Sequence, residues 1–221
     1  MNELVIFDVD GTILPYQSQQ RFLKYLFKHG YISIFSFIPL TFWFILYKFG
    51  ITKDPKKAII LAMMFLKGWD VKPFRKIVDD FFCTELQQSF FPEALEEIKK
   101  HRMSGRRILL LSNAIDPLVS RIADYLKIDE FICTKLEIKD SQYTGKIIGP
   151  IVYGEAKAKL TENYLHLRKM QPQKVWGYAD HESDVDFLKI VDVPFVVNPT
   201  NKLAEIAAKN RWTTLIFYKK I

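Results

Sequence analysis

The sequence is poor in the residues that define several special classes of protein. Its 221 residues include two cysteines, 50 positions apart, and nine glycines. Two cysteines cannot build the disulfide framework of a small secreted domain, and so little glycine excludes a collagen-like or low-complexity chain. We therefore expect a reducing compartment, with Cys83 and Cys133 as small residues of the hydrophobic core.

Leader sequences and several familiar catalytic motifs are also missing. The first apolar run ends at Asp8 and no basic leader precedes it, so we expect a cytoplasmic protein. The sequence has no glycine-rich loop ending in Gly-Lys-Ser/Thr and no Gly-x-Ser-x-Gly elbow. No Cys or His pair has the spacing of zinc ligands. These absences argue against P-loop, α/β-hydrolase and zinc chemistry.

Positive charge and aromatic residues are concentrated in one segment. Residues 13–91 hold 11 basic and 5 acidic residues, which is +6 of the net charge of +7, and 13 of the 18 phenylalanines. We interpret 13–91 as a separate helical module inserted into a core formed by residues 1–12 and 92–221. Its basic residues are mixed with Phe, Trp and Ile rather than with polar side chains that read bases, so no nucleic-acid partner is expected.

Within this inserted segment, residues 29–47 contain no Asp, Glu, Lys or Arg. As one helix they would reach ~28 Å, close to the ~30 Å thickness of a bilayer core. Pro39 lies in the middle and would kink or split such a helix, which favours two short apolar helices. They are either buried in the segment or form an interfacial or re-entrant hairpin at the inner face of the cytoplasmic membrane.

The rest of the chain alternates strands and helices. A glycine-containing turn over residues 140–145 predicts a hairpin. The predicted strands cover residues 3–7, 107–112, 130–138, 146–148, 174–178, 193–197 and 213–217. Alternation of this kind predicts a Rossmann-like α/β fold with a doubly wound parallel sheet, and the inserted segment predicts an all-helical cap.

Polar residues with matching chemistry follow several of these strands. Ligands of an open α/β sheet collect at the carboxyl ends of the strands, so these residues are expected to meet. Carboxylates suit Mg²⁺, and a lysine offsets the charge of a phosphate. In chain order the residues at strand ends are Asp8 and Asp10, Ser112 and Asn113, and Asp180 and Asp184, and Lys157 lies near the start of the helix that begins at Gly154.

Together these residues resemble the four motifs of the haloacid dehalogenase superfamily of phosphohydrolases. The first motif is Asp8-Val-Asp10-Gly11-Thr12, and the others follow in order as Ser112, Lys157 and Asp180 with Asp184. The sequence is similar over its whole length to the phosphoserine phosphatase branch, in which a helical cap follows the first motif. That resemblance makes the segment 13–91 the cap.

The resemblance implies a role for each motif residue. Asp8 would be the nucleophile that becomes an aspartyl phosphate, and Asp10 the general acid and base. Mg²⁺ would be bound by Asp8, Asp180 and the backbone carbonyl of Asp10, with Asp184 orienting a bound water or the lysine. The substrate phosphate would be held by Gly11, Thr12, Ser112, Asn113 and Lys157. A carboxylate at Asp10, which the dehalogenases of the superfamily lack, favours phosphate esters over carbon–halogen bonds.

The substrate is open between two hypotheses. Phosphoserine phosphatases carry a Glu where this sequence has Gln17, which argues against phosphoserine itself. The basic, aromatic inserted segment resembles the cap of bacterial phosphatidylglycerophosphate phosphatases, so the first hypothesis is a lipid or lipid-like phosphate at an anionic membrane surface. The second is a soluble phosphatase for a small metabolite such as an amino-alcohol phosphate.

A third hypothesis, from another class, is a non-catalytic module that binds membrane surfaces. The complete set of acidic motif residues argues against it. The role of His181 is left open, either in support of the site or as a tolerated substitution.

Overall fold

The structure, a computed structural model, describes residues 3–33, 35 and 55–218. Within them seven strands form one sheet in the order β4-β3-β2-β1-β5-β6-β7. All neighbours pair in parallel except β3 and β4, which form an antiparallel hairpin. The strands are β1 Glu3–Phe7, β2 Arg107–Ile115, β3 Glu130–Lys139, β4 Gln142–Ile148, β5 Lys174–Ala179, β6 Val193–Val197 and β7 Thr213–Leu215.

Outside the β3–β4 hairpin, helices connect the strands, and they form most of the described part of the inserted segment. The α-helices are α1 Ser18–Lys28, α2 Pro55–Met63, α3 Val71–Phe81, α4 Pro92–Met103, α5 Asp116–Leu126, α6 Glu155–Leu167, α7 Val185–Lys189 and α8 Asn201–Asn210. Short helical turns cover Met64–Leu66, Phe82–Leu86 and Glu182–Asp184. The predicted α/β fold is confirmed.

The sheet is covered on both faces, as its sequence pattern requires. Along β1, Val5 and Phe7 belong to one buried apolar cluster, while Leu4 and Ile6 belong to another. The continuous apolar run of this strand is therefore explained by burial on both sides, which is typical of a central parallel strand. Helices α1, α3, α4 and α5 contribute to the first cluster, and α7 and α8 to the second.

The connections from β1 run in opposite directions, which fixes the place of a ligand site. The chain passes from β1 through the inserted segment to β2 on one side, and later reaches β5 on the other side through α6. A crevice forms outside the carboxyl ends of strands where the winding reverses in this way. The ends of β1, β2 and β5 are therefore the expected position of the site.

The inserted segment is attached to the outer edge of the hairpin. Residues 68–71 pair with β4 through three backbone hydrogen bonds. Gly68 N–H donates to the Tyr143 carbonyl at 2.9 Å, Tyr143 N–H to the Trp69 carbonyl at 2.9 Å, and Val71 N–H to the Ser141 carbonyl at 3.0 Å. A short extended stretch of the inserted segment thus continues the sheet beyond its last strand.

The apolar helices, the last strand and the two cysteines compare differently with the sequence expectations. Most of the predicted pair of apolar helices lies outside the described residues, and no helix in the described ranges is long and apolar enough to cross a membrane. The last strand ends at Leu215 because the N–H and carbonyl of Phe217 pair instead with the Asn198 side chain. Cys133 is buried as expected, but Cys83 is exposed, so its assignment to the core is wrong. It lies in the turn Phe82–Leu86, whose first and last residues occupy the core side.

A buried polar network joins α4 to the sheet. His101 is 3 % exposed. Its Nε2 lies 2.8 Å from the Tyr178 hydroxyl and its Nδ1 3.1 Å from an Arg106 guanidinium nitrogen. Arg106 is itself paired with Glu3 at 2.5 Å. Since a guanidinium can only donate, Nδ1 is the acceptor and His101 is neutral. Burial, and then the charge of Arg106, lower the pKa of His101 to about 4.

We predict that His101 makes the protein less stable in acid. The unfolded chain binds a proton near pH 6.5 and the folded protein only near pH 4, so stability is full above pH 6.5 and is lost as the pH falls toward 4. The loss is about 3 kcal/mol. Urea unfolding of wild type and His101→Gln between pH 7 and 4 should show this difference, since glutamine does not titrate. Parallel stability profiles would contradict the assignment.

Candidate active site

The turn after β1 presents Asp8 and Asp10 on the same side of the sheet. Asp8 N–H continues the ladder by donating to the Tyr178 carbonyl of β5 at 2.9 Å. The Val9 carbonyl then accepts from Ile13 and Leu14 N–H, both at 2.9 Å, and closes a compact loop. Both carboxyl groups are buried, 6 % exposed for Asp8 and 8 % for Asp10. The first motif is therefore a rigid loop that holds two buried acids.

Two features require glycine at position 11 of this loop: its positive φ and the close approach of the Asp180 side chain. Its φ is +84°, and a Cβ at this position would lie 2.0 Å from Asp180 Oδ2. The Thr12 hydroxyl donates to the other oxygen, Asp180 Oδ1, at 3.4 Å. The first loop thus packs directly against the carboxylate that follows β5. Thr12, predicted to bind phosphate, contacts Asp180 in this structure.

Lys157 forms the charged centre of the site. Its ammonium Nζ lies 3.0 Å from Asp8 Oδ1 and 2.9 Å from Asp184 Oδ2, and all three side chains are buried. Burial alone would lower the pKa of the ammonium, but the carboxylates of Asp184 and Asp8 outweigh that effect and raise it. Lys157 is therefore charged and fixed between two acids.

Asp10 is held by a different element. Its Oδ1 accepts from Ser18 N–H at 3.0 Å and its Oδ2 from the Ser18 hydroxyl at 3.1 Å, at the first residue of α1. Burial raises the pKa of Asp10 to about 6, although these two hydrogen bonds act in the opposite direction. No sequence pattern pointed to Ser18, because its partner lies eight residues away across the turn.

The end of β2 extends three residues beyond its predicted end, with a register shift between Ser112 and Ile115. Ser112 is fully buried, and its hydroxyl accepts from Ala114 N–H at 3.1 Å. Asn113 Oδ1 is buried and has no hydrogen-bond partner among the described residues. The strand end therefore offers a side chain with free hydrogen-bonding capacity.

A cavity of about 320 Å³ opens between these groups. Its lining includes seven of the predicted site residues: Asp8, Asp10, Gln17, Asn113, Lys157, Asp180 and Asp184. Gly11, Thr12 and Ser112 are not among its lining residues. Tyr153, His181 and Ser183 line it as well. Tyr153 and Ser183 had no signal in the sequence, whereas His181 follows a motif aspartate directly.

His181 is fixed beside the cavity by short-range contacts. Its Nδ1 accepts from Ser183 N–H at 3.1 Å and lies 3.0 Å from the Ser183 hydroxyl. Its Nε2 lies 3.4 Å from Glu182 Oε2, and that carboxylate accepts from the Thr200 hydroxyl at 2.7 Å. The imidazole thus shapes the turn that carries Asp180 and Asp184.

The donor set fits a hard divalent cation. Asp8, Asp180 and Asp184 each offer a carboxylate oxygen, and these atoms lie within 4.8 Å of one another. Burial raises the pKa of Asp8 well above its ordinary value and that of Asp180 to about 6. The charge of Lys157 acts in the opposite direction on both groups, and the Asp184 carboxylate adds to the effect of burial. One ammonium cannot balance these acids, so the site has an excess of negative charge that a dication would offset. The Asp10 side chain is directed to Ser18 and is not part of this cluster.

Comparisons with known proteins show which family the chain is similar to. The model of the haloacid dehalogenase-like hydrolase family matches residues 5–189. A probable phosphatase of Mycobacterium tuberculosis (strain ATCC 25618 / H37Rv) is 26% identical over 217 residues, with 97% of this chain and 75% of the relative covered. The histidinol-phosphatase of Neisseria meningitidis serogroup C (strain 8013) is 25% identical, with 98% of this chain and 100% of the relative covered.

The fold has also been seen in a solved structure. A protein of unknown function from Bordetella pertussis Tohama I matches with a TM-score of 0.88 at 21% identity, covering 97% of this chain and 98% of that one. The similarity includes the described part of the inserted segment as well as the sheet, because nearly all of both chains is covered.

We predict that Gly11→Ala is more destabilising than a glycine substitution with the same backbone cost. Gly149 has a φ of +72° and no atom within 4 Å of the position that a Cβ would take, so Gly149→Ala tests the backbone alone. We expect a loss of about 1 kcal/mol for Gly149→Ala and about 2 kcal/mol or more for Gly11→Ala, measured by urea unfolding. Equal losses would show that contact with Asp180 does not matter.

Proposed function

The chain belongs to the haloacid dehalogenase-like hydrolase family and is a phosphatase, and we propose that it hydrolyses phosphate monoesters through a phosphoryl group carried on Asp8. The observation that carries the proposal is the buried contact between Lys157 and Asp8 at 3.0 Å. A lysine beside a buried carboxylate lowers the repulsion that an incoming phosphate dianion would meet. Asp184 supports this contact by binding the same ammonium.

We propose Mg²⁺ as the cation, bound by Asp8, Asp180 and the backbone carbonyl of Asp10. When bound it supplies positive charge against the phosphate oxygens and the carboxylates. Gly11 leaves room for Asp180 at its place beside the first loop. Thr12 donates to the same carboxylate and holds it there.

In the first step an Asp8 carboxylate oxygen forms a bond to phosphorus while the bond from phosphorus to the ester oxygen breaks. Asp10 gives a proton to the leaving oxygen, so the product is a neutral alcohol. In the second step Asp10 takes a proton from water, the water oxygen attacks phosphorus, and the bond to Asp8 breaks. The products are the alcohol and inorganic phosphate, and both aspartates return to their starting states.

The transferred oxygens need hydrogen-bond donors. We propose that the Ser112 hydroxyl, the backbone N–H of Asn113 and Lys157 supply them. Gly11 N–H, expected from the sequence to contribute, donates instead to the Leu14 carbonyl at 2.7 Å in this structure. The Asn113 side chain lines the cavity with its Oδ1 unpaired among the described residues, and this acceptor is available to a donor on the alcohol portion of the substrate. Gln17 lines the same cavity and is proposed to contact the alcohol portion, because it lies beside the helix turn that holds Asp10.

The lining favours a small polar phosphomonoester. Among the described residues, the side chains around the cavity are charged or polar, with Tyr153 as the aromatic member. A cavity of about 320 Å³ has room for a phosphate and a short polar chain. A non-catalytic membrane module is not favoured, because such a module has no need for buried acids around a lysine.

A lipid phosphate is the second candidate, and exposed residues of the inserted segment favour it. Phe27, Tyr31 and Phe35 are 53%, 43% and 73% exposed. Lys24 and Lys28 are exposed beside them, and the sequence has no acidic residue between Asp10 and Asp54. A surface with aromatic and basic side chains is suited to an anionic bilayer interface.

Replacing Asp8 tests the chemistry. We predict that Asp8→Asn lowers Mg²⁺-dependent phosphate release by about a thousandfold or more, because an amide cannot accept the phosphoryl group. The fold should persist, since Asn is nearly isosteric with Asp and Lys157 keeps its ion pair with Asp184. Asp140→Asn, in the exposed hairpin turn, is the matched control and should retain wild-type turnover. The assay compares phosphate release from a panel of monoesters with Mg²⁺ and with a chelator; turnover by Asp8→Asn would refute the nucleophile.

Vesicle flotation tests the lipid candidate. We predict binding to vesicles containing phosphatidylglycerol that weakens with added salt, because exposed charges are screened, and with Phe27→Ser plus Phe35→Ser. Met103→Ser plus Leu167→Ser removes side chains that are 79% and 80% exposed outside the inserted segment, and should leave binding unchanged. Absence of vesicle binding, or equal effects of both double variants, would favour the small polar substrate.

A further inference from the structure

The first residue of the inserted helix α1 binds the proposed acid–base group with two hydrogen bonds. Ser18 N–H donates to Asp10 Oδ1 at 3.0 Å, and the Ser18 hydroxyl donates to Asp10 Oδ2 at 3.1 Å. Ser18 is fully buried and Asp10 is 8 % exposed. Each oxygen of the carboxyl group therefore has its own donor, and both donors belong to one residue.

The sequence of α1 supplies no acceptor of its own for the N–H groups at the helix start. The first turn of the helix contains no acidic residue, and Gln17, which precedes it, makes no capping bond with its side chain. The free N–H groups at a helix start attract an acceptor with negative charge. Asp10 supplies it from outside the helix, so the helix start and the carboxyl group hold each other in place.

A second contact fixes the same turn to the sheet. Gln19 Oε1 accepts from Ile115 N–H at 2.9 Å, at the end of β2. The first turn of α1 is thus attached both to the loop after β1 and to the end of β2. Its position relative to the reacting groups is set by the core rather than by the rest of the inserted segment.

The two donors have different properties. The backbone amide can only donate, so Asp10 Oδ1 accepts from it whether the carboxyl group is ionised or protonated. A serine hydroxyl can donate to an ionised oxygen or accept from a protonated one, because it rotates. The exchanged proton is therefore carried on Oδ2, and Ser18 can stabilise this oxygen in both states.

We propose that Ser18 is a positioning residue that holds Asp10 Oδ2 for proton transfer to the leaving oxygen. This proposal rests on the proposed function, in which Asp10 protonates the alcohol. In that step the proton moves from Oδ2 to the ester oxygen as its bond to phosphorus breaks. Ser18 itself forms no bond to the substrate and acts only through Asp10.

The test compares two leaving groups. An alkyl phosphate such as glycerol 3-phosphate needs a proton on its leaving oxygen, whereas p-nitrophenyl phosphate releases a stable anion and does not. We measure kcat/KM, which depends only on steps up to release of the alcohol. We expect Ser18→Ala to lower kcat/KM about ten- to a hundredfold for glycerol 3-phosphate and less than about threefold for p-nitrophenyl phosphate.

Further variants distinguish the positioning of Asp10 by Ser18 from an effect on the stability of the fold. Ser18→Cys keeps the side-chain volume but offers only a weak donor, so the same selective loss is expected, and it carries the test should the alanine variant unfold. Ser89→Ala, which removes a 2.9 Å hydroxyl bond to the Glu85 carbonyl elsewhere in the inserted segment, is the control and should affect neither substrate. Urea unfolding is recorded for every variant.

Asp10→Asn distinguishes failure of this proposal from failure of the function it rests on. Asp10→Asn is expected to lower kcat/KM selectively for the alkyl ester. If it does so, but Ser18→Ala and Ser18→Cys leave kcat/KM unchanged or lower it equally for both substrates, the role of Ser18 is overturned and that of Asp10 stands. If Asp10→Asn also lowers kcat/KM equally for both substrates, the acid–base role of Asp10 is itself wrong.

Discussion

The site depends on an imbalance of buried charge. Asp8, Asp180 and Asp184 approach one another at the ends of β1 and β5, and Lys157 is the single ammonium placed among them in the described part of the chain. The fold tolerates this because each acid has a local partner or a neighbouring loop that fixes it. The same excess of negative charge favours a bound cation, which would reduce the repulsion among the acids.

Much of the fold and part of the site could be predicted because they follow from local patterns. Apolar runs such as Glu3–Phe7 mark buried strands, and the polar residues directly after them must lie at one edge of a parallel sheet. That reasoning brings Asp8 and Asp180 together, and the resemblance to the family motifs adds Lys157 near a helix start; the structure places all three at one cavity. Family membership is confirmed as well, while the individual roles remain proposals.

The remaining features depend on contacts between residues that no local pattern connects. The partner of Asp10 is a serine on the other side of a turn, and the need for Gly11 arises from Asp180, far along the chain. The prediction for Cys83 is wrong because Phe82 and Leu86 take the buried positions of this turn, whereas Cys83 lies on its exposed side. A pattern of residue types predicts which side chains can react, but packing decides which atoms they meet.

The attachment of residues 68–71 to β4 has a further consequence. β4 is the last strand of the sheet, and an uncovered edge strand offers unpaired backbone groups to strands of other molecules. Here Gly68 N–H donates to the Tyr143 carbonyl, Tyr143 N–H donates to the Trp69 carbonyl, and Val71 N–H donates to the Ser141 carbonyl, so the backbone groups at the start of this edge are satisfied within one chain. The same inserted segment that supplies Ser18 to Asp10 therefore also covers part of the edge at which a strand of another molecule could pair.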